Sequence, residues 1–325
     1  MDWAQILDNT AKFMLSPETI GFMLAALGLA VHFGYAGLLN FGMAGFMAIG
    51  AYGYAISILS FGLPWWLAIG VSMLGAVIFA IILGIPTLRL RADYLAIVTI
   101  AAAEIVRLLF QTQLFDEWTN SADGLGGYHA GFRGANPLPA GSYGLGPWTF
   151  TADQWWVRVF GLLLVVVAVL VVWLLMRSPW GRVLKGIRED EDAVRSLGKN
   201  VFLYKMQALI LGGILGALGG VVIALPSAVI PQYYLPSLTF FVWTALLLGG
   251  AATLFGPILG SILYWGMMAF LSGVLPAMAS EGWLPMTSTQ AGYLRYILVG
   301  LALMLLVAFR PQGILGNKKE MTFVK

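Results

Sequence analysis

Nine runs of nearly unbroken hydrocarbon, near residues 18–36, 41–60, 64–85, 94–112, 157–176, 202–224, 238–254, 256–275 and 290–309, constrain this chain more than any other feature. Each approaches the roughly 17–25 residues that cross a bilayer as a helix. Hydrocarbon offers a backbone N–H or C=O no partner, so a lipid-exposed run must close its hydrogen bonds within itself. Charged residues make up only 10% of the 325 residues, against about 25% in a soluble domain, too few to cover a globular surface. The expected fold is an all-α polytopic membrane protein with about nine transmembrane helices, eight to ten given the ambiguous ends. The run at 41–60 is rich enough in glycine to be broken or re-entrant.

Charge orients these spans. The loop with Arg89 and Arg91, the stretch 178–200, and a tail with Arg310, Lys318, Lys319 and Lys325 are basic and are expected in the cytoplasm. Segment 113–155 carries Asp116, Glu117, Asp123 and Asp153 against a single Arg133, and is expected outside. Nine spans satisfy both, with the N-terminus out and the C-terminus cytoplasmic. Trp65, Trp66, Trp155 and Trp156 then fall at outer span ends, as an aromatic belt requires. The organisation read from this pattern is an N-terminal segment 1–17, a transmembrane domain 18–316, and a basic tail 317–325. Trp3, Ile6, Leu7, Thr10 and Met14 lie at helical spacing, so segment 1–17 is either an interfacial helix or a frayed terminus. No basic region precedes the first apolar run, so the start does not read as a cleaved signal peptide.

Several chemistries are excluded. With no cysteine there is no disulfide, thiolate site or Cys nucleophile, and His32 and His129 alone do not suggest a metal centre. The net charge of +3 follows the loops rather than a stripe, so no nucleic-acid binding is expected. No G-x-x-x-x-G-K-[ST] loop is present for nucleotide phosphates. No pair of acids converges for hydrolytic work, so the chain does not read as an enzyme.

The stretch SPWGRVLKGIREDEDAVRSLGKN, 178–200, concentrates five of the 18 Lys and Arg and four of the 15 acids. Val183, Leu184, Ile187, Val194 and Leu197 recur at spacings near 3, 4 and 7, and Gly198 suits a helix end. The pattern predicts one short amphipathic helix between two spans. The positive-inside bias accounts for its basic residues as a solvated loop. It does not account for the consecutive acids Glu189 to Asp192 beside an apolar face, a pattern suited to docking in a partner's groove.

Within the spans, Glu104 and Arg107 stand three residues apart, where helical geometry lets them pair. They are either a polar element of a translocation path or an ion pair that fixes packing. Asn40, near the first turn between spans, is a second path candidate, whereas His32 and Met43 read as packing residues. Gly212, Gly216 and Gly220 have the small-xxx-small spacing of close helix contact. Gly249, Gly250, Gly256 and Gly260, with Pro257, mark either a tight turn or a broken helix lining a cavity.

With these features in place, the chain resembles the LivM-type permease subunits of branched-chain amino-acid ABC importers. The matching stretches are GYAGLLNFGMAGFMAIGAY (34–52), LRLRADYLAIVTIAAAEIVRLL (88–109), DGLGG (123–127), the charged segment, LLLGGAATLFGPILGSIL (246–263) and RPQGILG (310–316). Ala92, Ala101 to Ala103 and Met43 depart from the family's usual residues. The resemblance implies a permease domain over 18–316 that forms half of a translocation pathway in a bacterial inner membrane. It implies that 178–200 couples to the motor through Arg182, Lys185, Arg188, Glu189, Asp190, Glu191, Asp192, Ala193 and Gly198. The implied partners are a second permease, two ABC ATPases that hold the ATP and Mg, and an extracytoplasmic binding protein; this chain itself binds no cofactor. Permeases for urea and short-chain amides look alike and stand as the alternative. An ion-coupled secondary transporter is more remote, because Glu104 is the one clear intramembrane acid and it lies beside Arg107.

Overall fold

The computed structural model describes residues 2–89, 92–310 and 312–316. Arg91 and the basic tail 317–325 lie outside the described residues. The nine apolar runs each become a helix: α2 (Pro17–Leu29), α3 (Met43–Leu59), α4 (Trp65–Thr87), α5 (Ala92–Gln111), α8 (Ala152–Arg177), α11 (Val201–Ala224), α12 (Pro236–Gly249), α13 (Gly256–Ser280) and α14 (Ser288–Phe309). Among the described residues, seven are long and apolar enough to cross a membrane, α2 doing so through its extension to Tyr35. The other two, α3 and α12, are shorter apolar helices of 17 and 14 residues. Despite its glycines, α3 is one continuous helix.

At the centre α11 is wedged between α2 and α3, with α4 behind. Glycine makes this possible. A Cβ at Gly212 would enter the Gly28 carbonyl of α2, and one at Gly220 would enter the Met47 backbone of α3. The 212/216/220 series therefore serves two neighbours, Gly212 facing α2 while Gly216 and Gly220 face Met43 and Met47 of α3. Four residues turn a helix through about 400°, so a four-residue series drifts about 40° per step and crosses to the next partner. The outer ring is different: only 22% of the α5 and α8 windows and 11% of the α14 window are covered by protein, leaving flanks suited to lipid.

Three short elements fix the ends of the bundle. Helix α1 (Trp3–Met14) is capped by Asp2 and buries Ile6 and Thr10 against α13, so the N-terminal segment is a packed helix rather than a frayed end. The loop after α5 carries α6 (Asp116–Thr119), α7 (Ala130–Gly134) and a hairpin of β1 (Ser142–Tyr143) and β2 (Phe150–Thr151). In it, Gly124 sits at φ +74°, where a Cβ would strike the Val229 carbonyl; this lets Leu125 and Val229 exchange N–H···O bonds of 2.8 and 2.9 Å. Tyr128 is buried there, and its hydroxyl lies 2.9 and 2.6 Å from the carbonyls of Ala224 and Ser227. Burial, and after it the Arg133 charge, holds the neighbouring His129 imidazole below its usual range. At the opposite end, the amides of Ile314 and Leu315 each donate at 3.0 Å to the last α12 carbonyls, those of Leu248 and Gly249. This links RPQGILG to the glycine-rich α12–α13 turn.

Candidate functional site

The charged segment folds as two helices, α9 (Pro179–Glu189) and α10 (Glu191–Ser196), instead of the single helix its periodicity suggests. The break is Asp190, extended at φ −154°, ψ 103°, whose carboxylate accepts the amides of Asp192 and Ala193 at 3.0 Å. An Asp at this point satisfies the free N–H groups of a new helix better than it continues the old one. Ser178 caps α9, with its hydroxyl 3.2 Å from the Trp180 amide.

One face of this pair is a mount. Leu184 and Ile187 are buried, and Val194 of α10 packs on Gly186. Arg188 lays its stem on Gly37, held at φ +70°, and its Nη1 donates to the Gly34 carbonyl at 2.5 Å. Gly34 belongs to the π-helical turn Ala30–Tyr35 that ends α2, so the guanidinium fastens α9 to the core. The second Arg188 donor goes to Glu189 at 2.8 Å. Lys185 lies over the Tyr35 ring at 5.9 Å. On α10, Glu191 accepts from Arg195 at 2.8 Å and also from Lys205 of α11.

The other face is presented to solvent. Arg182, Lys185, Asp190 and Ala193 are exposed, and the Asp192 side chain is 87% accessible. Leu197 was expected on the apolar face with Leu184 and Ile187, but it is 79% exposed. It caps α10 just before Gly198 turns the chain at φ +76°, which carries the Leu197 side chain off the buried stripe. A polar groove of about 910 Å³ opens beside it, lined by Arg89, Glu191, Asp192, Arg195, Lys199 and Lys205 among others.

Inside the bundle, Glu104 and Arg107 form a two-pronged pair on α5, with Nε to Oε2 at 2.9 Å and Nη2 to Oε1 at 2.5 Å. Arg107 adds a 2.8 Å bond to Gln111. The pair is thus intrahelical, and its charges neutralise one another. Asn40 has a different setting. It is fully buried in the irregular link between α2 and α3, where backbone amides need partners. Its Oδ1 accepts from the Gly42 amide at 2.7 Å, Thr99 of α5 accepts from Phe41 at 2.9 Å, and Thr239 of α12 accepts from Ala44 at 2.9 Å. Asn40 Nδ2 donates at 3.0 Å to Nδ1 of His32, whose Nε2 donates to the Leu209 carbonyl at 3.0 Å. This chain of bonds assigns the proton to Nε2 and uses both ring nitrogens. Gly249 and Gly260 leave no room for a Cβ against Gly256 and Ala245, so the α12–α13 glycines form a tight turn between two unbroken helices.

Residues that the linear pattern did not single out are also gathered here. Tyr52 and Tyr54 of α3 are fully buried with unpartnered hydroxyls; Tyr52 stacks on Phe110 at 4.2 Å, and Tyr54 meets Tyr128 edge-on at 5.8 Å. Arg158 of α8 is 7% exposed with an unpartnered Nε. Among the described residues no cluster of His, Cys, Asp and Glu could hold a metal ion.

A mostly helical chain that has, among the described residues, seven helices of lipid-crossing length and a mounted, charged inter-helix segment is built as a multi-span membrane protein. The chain belongs to the family described as branched-chain amino acid transport system / permease component, whose sequence profile matches residues 17–308. It is 31% identical over 320 residues to the high-affinity branched-chain amino acid transport system permease protein LivM of Escherichia coli, covering 86% of this chain and 72% of that one. It is 26% identical over 337 residues to the probable branched-chain amino acid transport permease protein LivM of Methanocaldococcus jannaschii, covering 93% and 92%. The nucleoside ABC transporter permease protein NupC of Lactococcus lactis is 25% identical over 290 residues, covering 85% and 86%.

Proposed function

We propose that this chain is the transmembrane permease subunit of an ATP-driven importer for branched-chain or other hydrophobic amino acids in a bacterial inner membrane. It forms half of the pathway beside a second permease, catalyses nothing itself, and leaves ATP and Mg to two separate ATPases. An extracytoplasmic binding protein supplies the solute. In this reading all nine apolar helices cross or enter the bilayer, with the N-terminus outside and 178–200 in the cytoplasm. The observation that carries it is the two-faced charged segment: Leu184, Ile187 and Arg188 fasten it to the core, while Leu197 and Asp192 face outward and free of the mount. Leu197, 79% exposed at the C-terminal cap of α10 beside the charged residues, is an apolar side chain suited to a partner's groove. The Glu104–Arg107 pair and Asn40 shape the wall of the path. The mutually satisfied pair keeps two charges at membrane depth without offering either to the solute.

The test is co-purification from native membranes in mild detergent, comparing wild type with Leu197→Asp and Asp192→Arg, which spare the mount. ATPase subunits retained by wild type and lost from both variants are expected. A chain that purifies without any ATPase, or variants that hold it as well as wild type does, would overturn the coupling assignment. Because nucleoside permeases are among the relatives, competition of labelled leucine uptake by valine, by guanosine and by urea then decides the solute class.

A further inference from the structure

On the side of the 113–155 loop, a cleft of about 490 Å³ opens between α1, the first turn of α2, β2 and the start of α8. Its floor holds a buried charge that no carboxylate among the described residues touches. Arg158 is 7% exposed, yet among the described residues no carboxylate lies within ion-pair distance and only Nη1 has a protein partner, the Gln154 carbonyl at 2.8 Å. Its Nε is buried with no acceptor. The guanidinium carbon lies 3.6 Å from the centre of the Phe150 ring, so one face of the fork is stacked and its edge remains for an oxyanion. Leaving a buried cation in this condition is costly unless an anion completes it. Glu18 also lines the cleft, within electrostatic range of Arg158 and with no ion pair of its own among the described residues. Lys12, on the rim, is already spent on Asp8 at 2.6 Å. The cleft thus offers one free cation and one free carboxylate.

Its surroundings say where such a ligand comes from. Trp148, Trp155 and Trp156 crowd this end of α8, with their indole N–H groups on the carbonyls of Ala11, Tyr143 and Phe132, an arrangement typical of headgroup depth. Helix α1 exposes Trp3, Leu7 and Phe13 beside it. One turn further along α8, Val159, Leu163, Val166 and Leu170 begin an exposed apolar flank that acyl chains can follow.

We propose that this cleft binds the headgroup of an aminophospholipid from the adjacent leaflet, with Arg158 taking the phosphodiester and Glu18 the primary ammonium. The bound lipid completes the contact of α1 and the loop hairpin with α8.

The test uses the full chain with its co-purifying partners, stripped of lipid by detergent exchange. It is titrated with short-chain phosphatidylethanolamine, phosphatidylcholine or phosphatidylglycerol, and read by native mass spectrometry and thermal unfolding. One phosphatidylethanolamine per chain, raising the unfolding temperature, is expected. Arg158→Gln is expected to weaken it roughly tenfold or more, because a charge-assisted bidentate contact is lost. Glu18→Gln is expected to keep phospholipid binding while abolishing the preference for phosphatidylethanolamine over phosphatidylcholine. If Arg158→Gln does not fold, Phe150→Leu keeps the charge, removes the stacking platform, and is expected to weaken binding several-fold. Equal lipid binding by wild type and by every variant that folds would overturn the proposal. So would displacement of the lipid by millimolar inorganic phosphate or leucine, which would make the cleft a site for a soluble anion or zwitterion.

Discussion

Replacing Arg188 with Met isolates the bond that fastens the charged segment to the core. The variant keeps most of the stem that packs on Gly37 and removes the donor to the Gly34 carbonyl, along with the weaker contact to Glu189. A hydrogen bond from a charged donor contributes about 1.5–3 kcal/mol, and the orphaned carbonyl adds part of its desolvation cost. Some rotamer entropy returns to the unfastened side chain, so a net loss of about 2 kcal/mol is reasonable. The apolar anchors remain: burying Leu184 and Ile187 contributes about 1.5–3 kcal/mol each, which exceeds the loss. Helix α9 should therefore stay in place but open more often. At about 1.4 kcal/mol per tenfold, amide exchange in its second half should quicken roughly 25-fold. Hydrogen–deuterium exchange of the assembled transporter in nanodiscs measures this directly. Basal ATP hydrolysis should persist while its stimulation by solute-loaded binding protein falls, and Arg188→Lys should lie between. Exchange over 179–189 within a factor of about two of wild type would refute the reasoning, because the apolar contacts alone would then hold the segment.

Two further outcomes follow from groups elsewhere in the bundle. Glu104→Gln should lower thermal stability by leaving Arg107 half-paired at membrane depth, whereas Glu104→Leu with Arg107→Met should recover most of it; uptake that survives in the double variant assigns the pair to packing, and its loss in a folded double variant assigns it to the path. His129 is held below the 6.5 of free imidazole, so the unfolded loop binds a proton before the folded one does. Its contribution to stability is full above that value and is lost as pH falls below it, so limited proteolysis of the 113–155 loop should accelerate from pH 7.5 to 5.5, with a shallower response in His129→Gln.

Much of the architecture was legible because lipid simplifies the code: each apolar run had to become a helix, and each did. Positions that depend on competition between local and tertiary bonds were harder to read. The periodicity of 178–200 carried Leu184, Ile187 and Val194 correctly but ran straight through Asp190, because hydrophobic spacing does not register a side chain that caps a new helix. The same overreach placed Leu197 on the buried stripe. Asn40 drew notice as a lone amide among apolar residues, yet its partners His32 and Trp243, and the Thr99 and Thr239 hydroxyls that hold the neighbouring Phe41 and Ala44 amides, come from well-separated parts of the chain, and no spacing rule links them. Arg158 left almost no signal, being a single cation at the start of an apolar run. Its significance arises only when Phe150 and Glu18 are folded against it.

The strap formed by Ile314 and Leu315 on the end of α12 has a consequence for how the protein is made. The carbonyls of Leu248 and Gly249 leave the ribosome before α13 and α14 do, and they stay open until 312–316 emerges. Membrane insertion can therefore proceed helix by helix, while the α12–α13 turn, held locally by Thr253, gains these two bonds only after α14 is made. A nascent chain released early presents an unsealed helix end beside the π-turn that carries the Arg188 anchor.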